Sequence, residues 1–160
     1  MLTRLYSLFP LCMILLLAGC ASANSFSTQY AAGYAVSPPV SCVPYARQVS
    51  NINIHGDAWT WWGQARQRGT QPRNGAVLVL AKTQKLKHGH VAVVKQIIND
   101  RQINVTHSNW GSNRKSRSII YEKMRVEDIS PANDWSLVRF WNYKAGAFGH
   151  PYPAYGFIYQ

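Results

Sequence analysis

Acidic residues are scarce in this sequence of 160 residues. Six Asp and Glu stand against 17 Lys and Arg, which gives a formal net charge of +11. A chain this basic favours polyanionic partners: nucleic acid, anionic lipid or an acidic polymer. Cysteine is scarce too, and three residues exclude a disulfide-rich scaffold. Hydrophobic residues make up 47% of the chain, enough for one packed domain, so a disordered chain is also excluded.

The sequence has no apolar run long enough for a permanent membrane-spanning helix. Residues 5–17 would extend about 20 Å as a helix, short of the roughly 30 Å hydrocarbon core. A basic start, this apolar run and the ending Leu17-Ala18-Gly19-Cys20 predict a signal peptide over residues 1–19. The ending resembles the lipobox of bacterial lipoproteins, which implies that Cys20 is lipidated. Cleavage after Ala23, giving a soluble secreted protein, is the alternative.

The signal predicts an exported protein of the cell envelope, anchored in the membrane by lipid and facing the periplasm. Residues 20–41 are rich in Ala, Ser, Pro and Tyr and are predicted to be the lipid-anchored tether. Residues 42–160 then form the folded catalytic domain. An extracytoplasmic location disfavours nucleic acid as the partner of this basic chain and favours an envelope polymer.

The order of sequence patterns predicts an α+β fold. Pro44 suits the first turn of a helix that begins at Cys42, and Asp57 suits the N-cap of a second helix that ends at Gly69. Helices followed by strands indicate N-terminal helices packed on a central antiparallel β-sheet. Six segments have strand composition: 76–81, 91–98, 103–109, 118–124, 137–141 and 155–158.

Cys42 is the first candidate for chemistry, because it stands where the first helix is predicted to begin. Backbone N–H groups and the positive end of the helix dipole lower the pKa of a thiol at such a position. The same N–H groups could hold an oxyanion. The alternatives are a buried, inert cysteine, or a disulfide partner for Cys20 if Cys20 is not lipidated.

His90 opens an alternating strand directly after Gly89, and a glycine there allows close approach of other chain segments. A neutral imidazole is the natural base for a thiol near neutral pH. The alternatives are a surface histidine or a metal ligand paired with His88. No further Cys or His stands at ligand spacing nearby, so neither a metal nor a cofactor is predicted.

The next predicted strand offers two groups that could orient His90. Period two places His107 and Asn109 on one face of that strand. A two-residue turn at Asn99-Asp100 would pair residues whose numbers sum to 199, which sets Asn109 opposite His90 and His107 on the diagonal. Either side chain could fix the tautomer of the imidazole, and the sequence leaves both open.

Several ordered blocks of the sequence match the pattern of one known family. They are Cys42-Val-Pro-Tyr45-Ala-Arg47, Gly56-Asp-Ala58 with a Trp-rich segment, Pro72-Arg-Asn-Gly75-Ala-Val, Lys87-His-Gly89-His90-Val-Ala-Val-Val94 and Val105-Thr-His-Ser-Asn109-Trp110. These blocks resemble CHAP domains, the cysteine, histidine-dependent amidohydrolases/peptidases of the papain-like superfamily. The resemblance covers about residues 41–145, and the tail after Trp135 resembles that of exported proteobacterial members.

The resemblance implies a papain-like fold and a peptidoglycan hydrolase that needs no cofactor. Cys42 would be the nucleophile, His90 the general base and then acid, and His107 or Asn109 the orienting group. The enzyme would cleave an amide bond through an acyl-enzyme, either as an N-acetylmuramoyl-L-alanine amidase or as a peptidoglycan endopeptidase.

Three further observations concern the substrate and the alternative function. Tyr45 and Trp110 are predicted to contact the substrate, with packing in the core as the alternative for each. Basic residues around Lys87 and Arg117 are either solvated charges or a surface that attracts an anionic wall polymer. Many CHAP domains carry Glu where this chain has His107. The missing carboxylate motivates the second hypothesis, a catalytically degenerate envelope protein that binds peptidoglycan or a protein partner.

Overall fold

The computed structural model describes residues 33–160, so the predicted signal peptide and Cys20 lie outside the described residues. Strands make up 44% of the described residues and helices 16%. The helices are α1 (Cys42–Ser50), α2 (Trp61–Gln64), which directly follows a 3₁₀ turn (Ala58–Thr60), and α3 (Arg114–Arg117). The strands are β1 (Gly33–Ala35), β2 (Gln67–Gly69), β3 (Val77–Leu80), β4 (His90–Asn99), β5 (Gln102–Ser108), β6 (Ile119–Asp128), β7 (Leu137–Asn142) and β8 (Ala147–Tyr159).

Six antiparallel strands close into a barrel. The pairing runs from β3 through β4, β5, β6 and β7 to β8, and β8 pairs with β3 to complete the ring. Outside the ring, β1 pairs with β6 and β2 with β8. Alternate apolar side chains of all six strands meet in one buried cluster, which includes Leu78, Val94, Val105, Met124 and Phe140.

The opposite faces of β3 and β4 are covered by α1 and the segment around α2. A second buried cluster joins Ala46 and Trp61 to Val79, Val91 and Ile158. Because β3 and the first half of β4 are buried on both faces, Val77–Leu80 and residues 91–94 are continuous apolar runs rather than an alternation. This packing holds the first residue of α1 over the start of β4.

The predicted α+β papain-like fold, with N-terminal helices on a central sheet, is wrong for this chain. Most of the described residues outside loops belong to the barrel, and α1 is the one helix of residues 33–160 with more than four residues. Strand composition does not distinguish the two arrangements, because six such strands can form either an open sheet or a closed ring. Closure depends on the pairing of β8 with β3, which brings together segments far apart in sequence.

The predicted second helix from Asp57 to Gly69 is also wrong. It is reduced to the 3₁₀ turn and α2, after which Gln67–Gly69 pairs with β8 as β2. The apolar spacing predicted a long helix, but burial of the Ala58 and Trp61 side chains needs only a single turn. Tertiary pairing of the following residues with β8 then overrides any helical tendency.

Three residues of the segment predicted as a tether, Gly33–Ala35, form β1 against β6. The division of the chain at residues 19 and 41 stays a prediction. The part of the chain that the structure describes contains no helix with the length and apolar character needed to cross a membrane.

Candidate active site

A cavity of about 970 Å³ opens where the N-terminus of α1, the start of β4 and the segment after β5 meet. Four of the residues predicted for the site line it: Cys42, His90, Asn109 and Trp110. Tyr45 is not among the lining residues. Its hydroxyl lies 2.6 Å from the hydroxyl of Thr106, so its polar atom is bound within the fold.

Cys42 is the first residue of α1 and carries a free, half-buried thiol. Burial raises the pKa of this thiol, while hydrogen bonds from the backbone N–H groups of Val91, Val43 and Cys42 itself act in the opposite direction. The predicted lowering of the thiol pKa is therefore not found, because desolvation outweighs the helix terminus. The raised pKa keeps the side chain a protonated thiol near neutral pH.

His90 supplies a buried imidazole to the same cavity from the first residue of β4, with 2% of its surface exposed. Burial lowers its pKa to about 3, so the ring is neutral near physiological pH. Gly89 beside it has φ of +67°, and a Cβ there would lie 2.7 Å from the Trp59 nitrogen and 2.8 Å from the Leu80 oxygen. The close approach predicted at this glycine is thus present, and it fixes where His90 enters the cavity.

His107 is the residue that meets the imidazole of His90. The distance from His90 Nε2 to His107 Nδ1 is 2.9 Å, and His107 is 1% exposed. Burial, and secondarily the nearby His90, holds the pKa of His107 well below its usual range. Asn109 has a left-handed backbone, with φ of 57°, and lines the cavity beside the pair. Of the two orienting candidates, His107 has the geometry for a hydrogen bond to the ring. Its role in catalysis stays a prediction.

The pairing of β4 with β5, which brings His107 beside His90, follows the predicted register near the site but not at the turn. Val94 pairs with Val105, so the residue numbers sum to 199 near the site, as predicted. At the turn, however, Asn99 pairs with Gln102 around Asp100-Arg101, and the sum there is 201. Two bulges in β4 between these pairs each shift the register by one residue. The predicted sum of 199 therefore holds at Val93 and Val94, although the two-residue turn is Asp100-Arg101 rather than Asn99-Asp100.

Trp110 forms an aromatic wall against the histidine pair. Its ring centroid lies 4.6 Å from that of His90, 4.6 Å from Phe140 and 5.1 Å from Tyr152. Trp110 also lines the cavity, so it packs against the histidines and borders the open space beside them. Its contact with a substrate stays a prediction. Phe140 and Tyr152 come from β7 and β8, and nothing in the local sequence marked them.

The mouth of the cavity is basic. Lys85, Lys87 and Arg117 are exposed and line it. The single carboxylate among the lining residues is that of Asp57, whose Oδ1 lies 3.0 Å from His88 Nδ1. Arg117, one of the basic residues predicted to form a solvated surface, thus lines the cavity, and it is in none of the ion pairs found within residues 33–160.

The sequence model of the CHAP domain matches residues 29–109, just over half of the chain. The protein belongs to the CHAP domain family. Proteins of this family are generally hydrolases or peptidases, and membership indicates peptidoglycan hydrolase, amidase or peptidase activity on a peptidoglycan-related substrate. The comparison with curated proteins gives no match. The matched segment includes Cys42, His90, His107 and Asn109, and it ends immediately before Trp110.

Proposed function

We propose that the protein is a cysteine amidohydrolase/peptidase that cleaves an amide bond of peptidoglycan with Cys42, His90 and His107. The observation that carries this proposal is that Cys42 and His90 line one cavity while Nε2 of His90 lies 2.9 Å from His107 Nδ1. Because His90 Nε2 is engaged by His107, Nδ1 is the ring nitrogen available to take a proton from the thiol. A nucleophile, a base and an orienting group are then present in that order.

The reaction begins when Cys42 Sγ attacks the carbonyl carbon of the amide and its proton passes to His90 Nδ1. Since the resting thiol is protonated, the proton transfer accompanies the attack. The C–N bond then breaks, the amine leaves with the proton from His90, and an acyl-enzyme thioester remains. Water attacks the thioester, giving its proton to His90, and the C–S bond breaks to return the thiol and a carboxylic acid.

The charge of the cavity mouth supports an anionic substrate. Peptidoglycan strands carry carboxylates on their peptide stems, and Lys85, Lys87 and Arg117 line the same cavity as the thiol of Cys42. Exposed charges of this kind act mainly on capture and orientation of the substrate rather than on the bond-breaking step. We assign them to the binding of the peptide stem.

We propose that the enzyme acts outside the cytoplasm as a lipoprotein anchored at Cys20 and facing the periplasm. The apolar run over residues 5–17 and the Leu17–Cys20 ending support this location. Incorporation of labelled palmitate into the full chain, and its loss in Cys20→Ala, is the expected result. A wild-type chain that takes up no label and begins after Ala23 would instead establish a secreted protein.

Digestion of purified peptidoglycan by the mature protein tests the activity. We expect soluble fragments, identified by mass spectrometry, that are absent with Cys42→Ala. New free muramic acid carboxyl groups together with free L-alanine amines would define an amidase, and new ends within the peptide would define an endopeptidase. Equal digestion by the wild type and by Cys42→Ala would remove the assigned nucleophile.

One observation favours the second candidate function, a degenerate domain that binds peptidoglycan without cleaving it. Burial raises the pKa of Cys42, and the causes of the shifts at His90 and His107 include no carboxylate that would stabilise an imidazolium. A sedimentation assay with intact peptidoglycan separates the two functions. Binding with no fragments released, unchanged in Cys42→Ala, would establish the binding protein.

A further inference from the structure

Met124 lies on β6 with its thioether against the histidine pair. Its Sδ is 3.1 Å from His107 Nε2, and the side chain is 2% exposed in the interior of the barrel. Pairing of Met124 with Val105 in the neighbouring strand β5 sets this position. His90, His107 and Met124 thus form a buried row in which each polar atom faces the next.

The chemistry of sulfur decides where the hydrogens of this row lie. A thioether carries no hydrogen and accepts a hydrogen bond weakly, so the nitrogen that faces it is favoured as N–H. His107 with its hydrogen on Nε2 has a lone pair on Nδ1. That lone pair can only accept, and its partner 2.9 Å away must then be the N–H of His90 Nε2.

We propose that Met124 is a positioning residue that sets the tautomers of both histidines and so leaves His90 Nδ1 unprotonated toward Cys42. In the reverse arrangement, His107 Nδ1–H would donate to His90 Nε2, and His90 would present an N–H to the thiol instead of a base. The lone pair of His107 Nε2 would then face the lone pairs of the Met124 sulfur. The sulfur disfavours this arrangement and thereby selects the one in which His90 accepts.

The inference rests on the proposed role of His90 as the base for Cys42. It identifies Met124 as the residue that keeps His90 in the tautomer whose Nδ1 is unprotonated. A carboxylate at position 107 could hold the imidazole in only one way, because a carboxylate only accepts. A histidine there can donate or accept, so its own orientation needs a further partner. Met124 is that partner in this chain.

Nitrogen NMR of the full domain labelled with ¹⁵N-histidine tests the tautomers without any substrate. We expect both His90 and His107 of the wild type to show a protonated Nε2 and an unprotonated Nδ1. In Met124→Leu, which keeps a similar volume but lacks the acceptor, His107 should shift toward a mixture of tautomers. A protonated Nδ1 on His107 in the wild type would overturn the proposal, whatever happens in the variant.

Kinetics on peptidoglycan fragments provide the second readout. We expect Met124→Leu to lower kcat roughly tenfold with KM unchanged, as for the loss of one weak hydrogen bond felt in the transition state. Met124→Gln, which offers a carbonyl oxygen, should recover part of kcat. The matched control is Leu78→Met, a swap of the same volume in the same core cluster, which should leave kcat unchanged.

The two readouts separate failure of this inference from failure of the proposed function. If the wild type cleaves nothing while its spectra show the expected tautomers and Met124→Leu changes them, the role of Met124 stands and the hydrolase assignment falls. If Met124→Leu retains the wild-type tautomers and its kcat equals that of Leu78→Met, Met124 only fills space.

Discussion

His90 Nε2 and His107 Nδ1 lie 2.9 Å apart, and the two rings meet edge to face with an interplanar angle of 78°. Both rings are buried, and burial lowers the pKa of each. A second neutral imidazole can orient the first without adding negative charge. His107 therefore orients the ring of His90 more than it raises the basicity of that ring. This agrees with the proposed mechanism, in which the thiol of Cys42 loses its proton only as it attacks.

The first prediction compares the two residues that could have oriented His90. His107→Ala should lower kcat by about 10²- to 10⁴-fold, because the base loses its hydrogen-bonded partner. Asn109→Ala should lower it less than about fivefold, since His107 holds the ring in the native protein. Steady-state kinetics of both variants, with circular dichroism to show that they fold, make the comparison. A larger loss in Asn109→Ala would reverse the assignment.

The second prediction concerns the glycine that precedes His90. Gly89→Ala should destabilise the domain by roughly 2–4 kcal/mol, because the added Cβ meets backbone atoms of Trp59 and Leu80 at a positive φ. Gly75→Ala is the matched control: its φ is +84°, but nothing lies within 4 Å of the added Cβ. It should cost only the strain of a Cβ at positive φ, roughly 1–2 kcal/mol.

Urea denaturation of both glycine variants gives the free energies of unfolding. The amidase or peptidase rate should fall further in Gly89→Ala than its stability explains, because the start of β4 shifts and takes His90 with it. Equal losses in the two variants would show that the contacts around Gly89 do not matter.

The third prediction is a loss of stability in acid. The pKa of His90 falls from 6.5 in the unfolded chain to about 3 in the folded protein. Between these values the unfolded chain binds a proton that the native protein excludes, so the free energy of unfolding decreases as the pH is lowered. From about pH 7.5 to about pH 5 the loss due to His90 is about 2 kcal/mol, and His107 acts in the same direction.

Denaturation curves at several pH values measure this loss. His90→Asn should reduce the pH dependence between pH 6.5 and 3, because one of the two buried histidines that take up a proton only on unfolding is gone. An unchanged slope in that variant would mean that His90 is not buried as a neutral ring.

The fourth prediction concerns the basic mouth of the cavity. Replacing Lys85, Lys87 and Arg117 by Gln together should raise KM for peptidoglycan about three- to tenfold, with little change in kcat. The rate of the triple variant should also depend less on salt, because screening has less charge to act on. Lys95→Gln, which changes an exposed lysine of β4 outside the cavity lining, should leave both properties unaltered.

Sequence patterns predicted the six strands of the barrel but not that these strands close into a ring. All six predicted strands are present, as β3 to β8, because alternation and strand composition are local properties. Whether they form an open sheet or a ring depends on Val77–Leu80 meeting β8, more than 70 positions further along the chain. No pattern within either segment encodes that pairing.

The site was predictable to a similar extent. Cys42 and His90 follow from chemistry at the start of a helix and of a strand, and period two placed His107 on the same face of β5 as Val105. Asn109, predicted to share that face, lies after the end of β5 with a left-handed backbone. Met124 and Tyr152 could not be found, because they reach the site only through the registers of β6 and β8. The pKa of Cys42 was predicted in the wrong direction, since its burial is set by distant segments.

The closed ring has a practical consequence for fragments of this protein. The segment that matches the family ends at residue 109, whereas β6, β7 and β8 follow it. A chain truncated there would leave β3 and β5 with unpaired edges and bare Leu78 and Val105 to solvent, a surface prone to self-association. Minimal versions intended for engineering should therefore keep the C-terminal strands, which complete the scaffold that holds the two histidines in register.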